Sequence, residues 1–254
     1  MNLEHSTIKK QIMIENRQTF IERLKRHSAS SFDVDMIMLA YDVSKEAHRT
    51  HTRDSGERYF EHPRALVIIA LDELGWYDRD VICALFLHDA GEDSPIFGNR
   101  TAGWDSFVST ATYRISRMFN ENVAEIVIAL TKPEVDGIRF FVKKETGEYY
   151  LSNIMKEEKV LRCKAIDRLH NLRTSGSDTL AVIKKSKRTL EETEEVYLPL
   201  FRKINGVDGV KEKLLHKITT ECKRLEIETV GDSEKRLQQE DDQKWKEIGE
   251  LCDW

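Results

Sequence analysis

The segment HDAGED, His88 to Asp93, sets four ionisable side chains within six residues, directly after the apolar run Val81 to Leu87. A carboxylate taken out of water without a partner costs several kcal/mol, so such a group at the end of a buried helix needs a counter-charge. A divalent cation is one. Two further segments carry metal-competent side chains beside apolar stripes: Glu61-His62-Pro63 and Asp167-Arg168-Leu169-His170-Asn171. His62, His88, Asp89 and Asp167 together offer two imidazoles and two carboxylates. That mixed nitrogen and oxygen set suits Mn, Fe, Mg or Zn.

Spacing adds to this. His88 and Glu92 are four apart, as are Asp89 and Asp93, so a continuing helix lines up each pair on one face. Gly91 permits the turn to distort and bring carboxylates toward an ion. Each segment also has a plain structural reading. His62 before Pro63 reads as a helix-start residue, and Asp167 has Arg168 and Lys164 as ready ion-pair partners. The metal reading rests on the three segments together, on successive apolar helices.

The elements that must position these groups are helical. Only 12 Gly and 4 Pro in 254 residues leave little turn chemistry for a sheet protein. Periodicity and punctuation predict helices over Ile8–Arg26, Asp35–His48, Pro63 to Gly75, Asp78–Asp89, Asp105–Met118 and Glu121–Leu130. A pair is predicted between Gly137 and Arg173 with a junction near Glu157-Glu158, and a helix over Thr179–Ile204 interrupted near Pro199. Charged helices over Lys211–Leu225 and Ser233–Trp254 follow. The fold class is therefore all-α, a helical bundle with additional N- and C-terminal helices. Its division is 1–31 for the N-terminal helix, 32–205 for the main domain and 206–254 for a C-terminal extension.

A net charge of −5 argues against a general nucleic-acid binder, which relies on excess Lys and Arg; a local basic pocket for a small anion is compatible with it. Cys83, Cys163, Cys222 and Cys252 form no CxxC pair, as expected for a reducing cytoplasmic compartment. The N-terminus has no secretory apolar core, and no stretch approaches the ~20 apolar residues needed to span a membrane. The C-terminal helices are expected to serve packing or homo-oligomer formation.

The ordered set EHP, HDAGED, DRLHNLRT resembles the HD-domain metal phosphohydrolases, and more narrowly the (p)ppGpp hydrolase domain of the Rel/SpoT-homologue family. Arg53, Ser55, Gly56, Tyr59, His62 and Pro63 match that family's R-x-SG-x-x-Y-x-x-HP loop; HDAGED matches HD-x-x-ED; AIDRLHNLRT and ETEEVYLPL match two later segments. The similarity runs from about Phe32 to Ile204.

The resemblance implies an HD-domain bundle binding one Mn ion through His62, His88, Asp89 and Asp167, with other divalent metals as substitutes. It implies Glu92 and Asp93 as catalytic carboxylates, Arg53 on the purine base, and Ser55, Asn171, Arg173 and Thr174 around the nucleotide, with Lys184 where a phosphate-binding lysine can sit. The implied reaction is removal of the 3′-pyrophosphate from an alarmone nucleotide, (p)ppGpp or (p)ppApp. Alternatives are an HD-type nucleotidase or phosphatase on another phosphorylated nucleotide such as NADPH, and a catalytically silent alarmone-binding protein. Two positions depart from the family pattern. Asp54 replaces a basic residue, which opens adenine as well as guanine recognition, and Arg58 replaces a Pro, adding positive charge beside the loop. Nothing after Ile204 resembles the family's synthetase domain.

Overall fold

A computed structural model describes residues 16–27, 29–53, 56–135, 138–139, 145–176, 179–205 and 209–229. The first part of the expected Ile8–Arg26 helix, the expected Ser233–Trp254 helix, and the positions of Asp54 and Ser55 lie outside the described residues.

The architecture is helical, as expected, and local signals account for most boundaries. Helix α1 (Arg17–Arg26) starts at Asn16, whose side chain accepts from the backbone of Gln18 and Thr19. Helix α2 (Ser31–Ala47) is capped by Ser30, whose hydroxyl accepts from Asp33 N at 3.1 Å. Helix α3 (Glu61–Ile68) carries Pro63 in its first turn, where the missing N–H costs nothing. It widens into a π turn over Ile69–Glu73 before Gly75, at φ +65°, ends it.

Helix α4 (Arg79–Leu87) is capped by Asp78 and buried from Asp80 to Leu87. It is the hub: α2, α3 and two later helices, α7 and α9, pack against it. Phe86 meets Phe20 and Tyr41 at 5.6 Å and lies stacked on Phe60 at 6.3 Å, ring centre to ring centre. Truncating it to alanine would cost about 3–5 kcal/mol.

After α4 comes a single turn, α5 (Ala90–Asp93), then α6 (Trp104–Met118) and α7 (Glu121–Leu130). A short antiparallel pair, β1 (Glu134–Val135) and β2 (Ile138–Arg139), follows, which the helical periodicity did not foretell. Helices α8 (Glu145–Ile154) and α9 (Glu158–Thr174) are the expected pair with its junction beside Glu157. Helix α10 (Leu180–Glu192) runs through a π turn (Thr193–Tyr197) into α11 (Leu198–Phe201), so the interruption expected near Pro199 falls just before it.

Helix α12, residues 210–229, packs onto the main domain, the role expected of the C-terminal helices. Val210, Leu214, Ile218, Cys222 and Leu225 are buried in the same apolar core as α4 and α9. Its thin apolar stripe repeats every three to four residues, which suffices to seal one face of the bundle.

Candidate active site

Three helices that pack together bring the chemistry to one place: the start of α3, the end of α4 and the middle of α9. His62 lies in the first turn of α3, His88 directly follows α4, and Asp167 sits on α9. One ligand atom from each of the three lies within 4.8 Å of the others. Asp89 joins them, with Oδ2 3.0 Å from His88 Nε2 and 3.7 Å from His62 Nε2. Asp167 Oδ1 stands 3.2 Å from His62 Nε2 and 4.0 Å from His88 Nε2. The four donors expected from the sequence therefore converge.

Their orientation is set from behind. His88 Nδ1 faces the Leu85 carbonyl at 2.9 Å, which fixes that nitrogen as the donor and turns Nε2 inward. His62 Nδ1 faces His170 Nδ1 at 2.8 Å, so its Nε2 also points into the cluster. Tyr59 donates its hydroxyl to Asp89 Oδ2 at 2.8 Å. Asp167 receives Asn171 Nδ2 on Oδ1 at 2.7 Å and the buried Lys164 ammonium on Oδ2 at 2.6 Å. The plain ion-pair reading of Asp167 with Lys164 thus holds too, on the oxygen turned away from the histidines. The sequence placed Tyr59 and His170 inside the motifs and Lys164 beside Asp167, but gave none of them a role behind a ligand. Their only signal was proximity to the motifs, because partners of a ligand are set by tertiary contact.

The electrostatics call for a cation. Burial resists a charge on His88, but the Asp89 carboxylate, with Asp167 behind it, outweighs burial and pushes its pKa up to about 9. Burial takes His62 the other way, down to about 4. Burial raises Asp167, yet Lys164 and the histidines hold it well below the carboxylate range. His88 Nε2 is buried and, despite its nearness to Asp89, has no hydrogen-bond partner in line. Two imidazoles, of which His88 must give up its Nε2 proton to bind, and two carboxylates form a donor set that fits a divalent ion.

The turn after the motif is arranged differently from the continuing helix expected. The α-helix breaks at His88-Asp89, and α5 restarts as one turn whose Glu92 and Asp93 N–H groups donate to Asp89 O at 3.0 Å. Gly91 serves close packing rather than backbone distortion: a Cβ there would lie 3.2 Å from the Phe107 ring. Glu92 accepts from Lys132 N at 2.6 Å, with Lys132 Nζ 3.7 Å from its other oxygen. The Glu92 charge raises Lys132 above the ordinary lysine range. Asp93 Oδ2 stands 3.6 Å from His48 Nδ1.

Beside the cluster, Arg53 Nη2 donates to Asn171 Oδ1 and Thr174 Oγ1, both at 3.2 Å, and its guanidinium lies 5.9 Å from the centre of the Tyr59 ring. A β-bridge between Thr52 and Arg58 folds the loop that presents it, with Gly56 at φ +79°. The structure thus gathers Arg53, Asn171 and Thr174.

Arg173 lies apart from them. Arg173 is buried and gives Nη1 and Nη2 to Glu73 at 2.7 and 2.9 Å, with Nε 3.6 Å from Glu221. It faces α12 and the π turn, one side of α9 away from Asn171. Lys184 is exposed on α10, and no contact brings it to the cluster. Arg58 is spent on Glu61 at 2.6 Å.

Residues 40–207 match the HD-domain family model, and the chain belongs to that family. A divalent metal is what an HD hydrolase implies, and His62, His88 and Asp167 supply the candidate centre. Within the family, the chain is 34% identical over 196 residues to the bifunctional (p)ppGpp synthase/hydrolase SpoT of Escherichia coli K12, covering 75% of this chain and 24% of the relative. It is 32% identical over 199 residues to a guanosine-3′,5′-bis(diphosphate) 3′-pyrophosphohydrolase of Aquifex aeolicus, covering 76% and 25%. To GTP pyrophosphokinase rsh of Brucella melitensis biotype 1 it is 31% identical over 201 residues, covering 76% and 23%. The chain thus spans about a quarter of the length of these relatives. No described helix is long and apolar enough to cross a membrane.

Proposed function

We propose that this protein is a metal-dependent hydrolase that removes the 3′-pyrophosphate from alarmone nucleotides of the (p)ppGpp or (p)ppApp type, releasing pyrophosphate and the nucleoside 5′-di- or triphosphate. The observation that carries this is the convergence of His62, His88, Asp89 and Asp167 immediately before the Glu92-Asp93 turn. Names of relatives supply the substrate class.

His62, His88, Asp89 and Asp167 would hold one divalent ion, with Mn as the expected metal. Such an ion supplies Lewis acidity toward water and toward a phosphoryl oxygen. The remaining work belongs to the chain. Arg53 and Asn171 form the floor of the nucleotide side; Asn171 also donates to Asp167, so the base pocket and the metal ligands share one side chain. Arg53 offers its guanidinium face to a purine. Glu92 and Asp93 orient the attacking water and pass its proton to the leaving 3′-oxygen. Lys132, held against Glu92, adds positive charge beside that turn. The buried thiols Cys83, Cys163 and Cys222 suit a reducing cytoplasm.

Pyrophosphate release from ppGpp and from ppApp, measured with Mn and with EDTA, tests the reading. Mn-dependent release from either nucleotide, abolished by EDTA, is expected, and the faster substrate reports the base preference. No release from either, with Mn demonstrably bound, would overturn it.

A further inference from the structure

His48 is the buried side chain that the proposed chemistry leaves unexplained. It follows α2 as its C-cap and is 1% exposed. Neither ring nitrogen has a hydrogen-bond partner. The ring stacks on Tyr59, centre to centre 4.7 Å at 28°, and its Nδ1 points at Asp93 Oδ2 across 3.6 Å. Tyr59 in turn holds Asp89 through its hydroxyl. A phenylalanine would stack on Tyr59 as well and leave no buried nitrogen unpaired. The ring nitrogens therefore need a purpose that packing does not supply.

Asp93 lies at the end of the turn that carries both proposed carboxylates. It is the last residue of a helix of one turn, and the chain leaves it in extended form at Ser94. No long helix restrains its side chain. We propose that His48 is the positioning residue for Asp93: its Nδ1–H is the donor that holds the Asp93 carboxylate toward the reacting phosphoryl group. This rests on the reading of Asp93 as a catalytic carboxylate. Burial lowers His48 to about 4, so the ring is neutral when the enzyme works and carries one proton, which the geometry puts on Nδ1. At 3.6 Å the pair stands just beyond hydrogen-bond distance, and bound substrate is expected to draw it in.

The tautomer is the first readout. Nitrogen-15 spectra of the Zn-loaded protein, with the His48 signal assigned by its absence in H48N, are expected to show Nδ1–H in the wild type. In D93A the ring should revert to Nε2–H, the form favoured by free histidine. Nε2–H in the wild type, or one tautomer in both proteins, would overturn the proposal.

Kinetics give the second readout. H48F, which keeps the stack, should lose about tenfold in kcat at unchanged KM. H48N places an amide N–H where Nδ1 stands and should stay within about threefold of wild type. On a D93A background H48F should add no further loss. Equal losses in H48F and H48N, or losses that multiply with D93A, would overturn the positioning role. Undiminished turnover of D93A would overturn the assignment of Asp93 and this proposal together. Lost turnover in D93A with an unmoved tautomer would overturn the proposal alone.

Discussion

Helix α9 carries two buried ionic clusters less than two turns apart, roughly 9 Å along its axis, and they are built to opposite rules. Around Arg173, charges cancel. Glu73 takes Arg173 on both oxygens and Lys217 at 2.8 Å, and Glu221 is shared by Arg173 and Arg224, whose Nη2 also reaches Leu172 O at 2.8 Å. Around Asp167 the pairing is incomplete: Lys164 offsets one carboxylate, two carboxylates face two imidazoles, and His88 keeps a buried nitrogen without a bond. Each cluster holds two carboxylates, so acidic content does not separate them. Satisfaction does. A saturated network ties elements together, and an unsaturated one is arranged for something that arrives.

The widest test of this contrast is Asp89→Ala. Turnover should fall by roughly a thousandfold with loss of the divalent ion, while the metal-free protein loses only the His88 and Tyr59 contacts of Asp89 and melts within a few degrees of wild type. Metal titration by calorimetry and a melting curve in EDTA read both sides. A large drop in metal-free Tm would erase the distinction.

Arg173→Met makes the opposite prediction. It strands Glu73 and Glu221 against an apolar side chain, costing about 3 kcal/mol, on the order of 10 °C in Tm. Metal affinity should barely change. Weakened nucleotide binding at unchanged Tm would return Arg173 to the pocket.

Lys164→Met tests the seam between the clusters, since Lys164 neutralises the outer oxygen of Asp167 from a position between Tyr150 and Tyr197. Losing that support should weaken divalent-ion binding by about tenfold. Unchanged affinity would mean that Lys164 only offsets buried charge.

The smallest effect concerns acid stability. Burial pushes Glu73 up, but Arg173 and Lys217 outweigh it and hold its pKa below the ordinary 4.5. A depressed acid stabilises the fold above its unfolded pKa, and that contribution is lost as pH falls from 4.5 through the folded value. Glu73→Gln should therefore flatten the stability profile below that pH in urea titrations. An unaltered slope would assign the acid sensitivity elsewhere.

The four ligand candidates were legible because three short motifs at helix boundaries carried the donor types. Caps such as Asn16, Ser30 and Asp78 made most helix starts legible in the same local way. Arg173 shows where local reading stops. It follows Asn171 by two residues in a segment proposed to face nucleotide, but two residues on a helix is a turn of about 200°, and Glu73 waits on that other side, 100 residues earlier. The same holds for α12, whose thin stripe gave no sign of a place waiting between α9 and the π turn.

The sequence by itself determined the helical class, most element boundaries, and the candidate metal donors that the fold brings together, because caps, periodicity and donor chemistry act within a few residues. Only the tertiary structure decided which nitrogen of each histidine faces inward, that Lys164 and His170 stand behind the ligands, that His48 meets Asp93, and that Arg173 braces the bundle. Those outcomes depend on pairings across 45 to 108 residues in most cases, and the physical reason is that a buried polar group takes whichever partner the packed helices bring within reach.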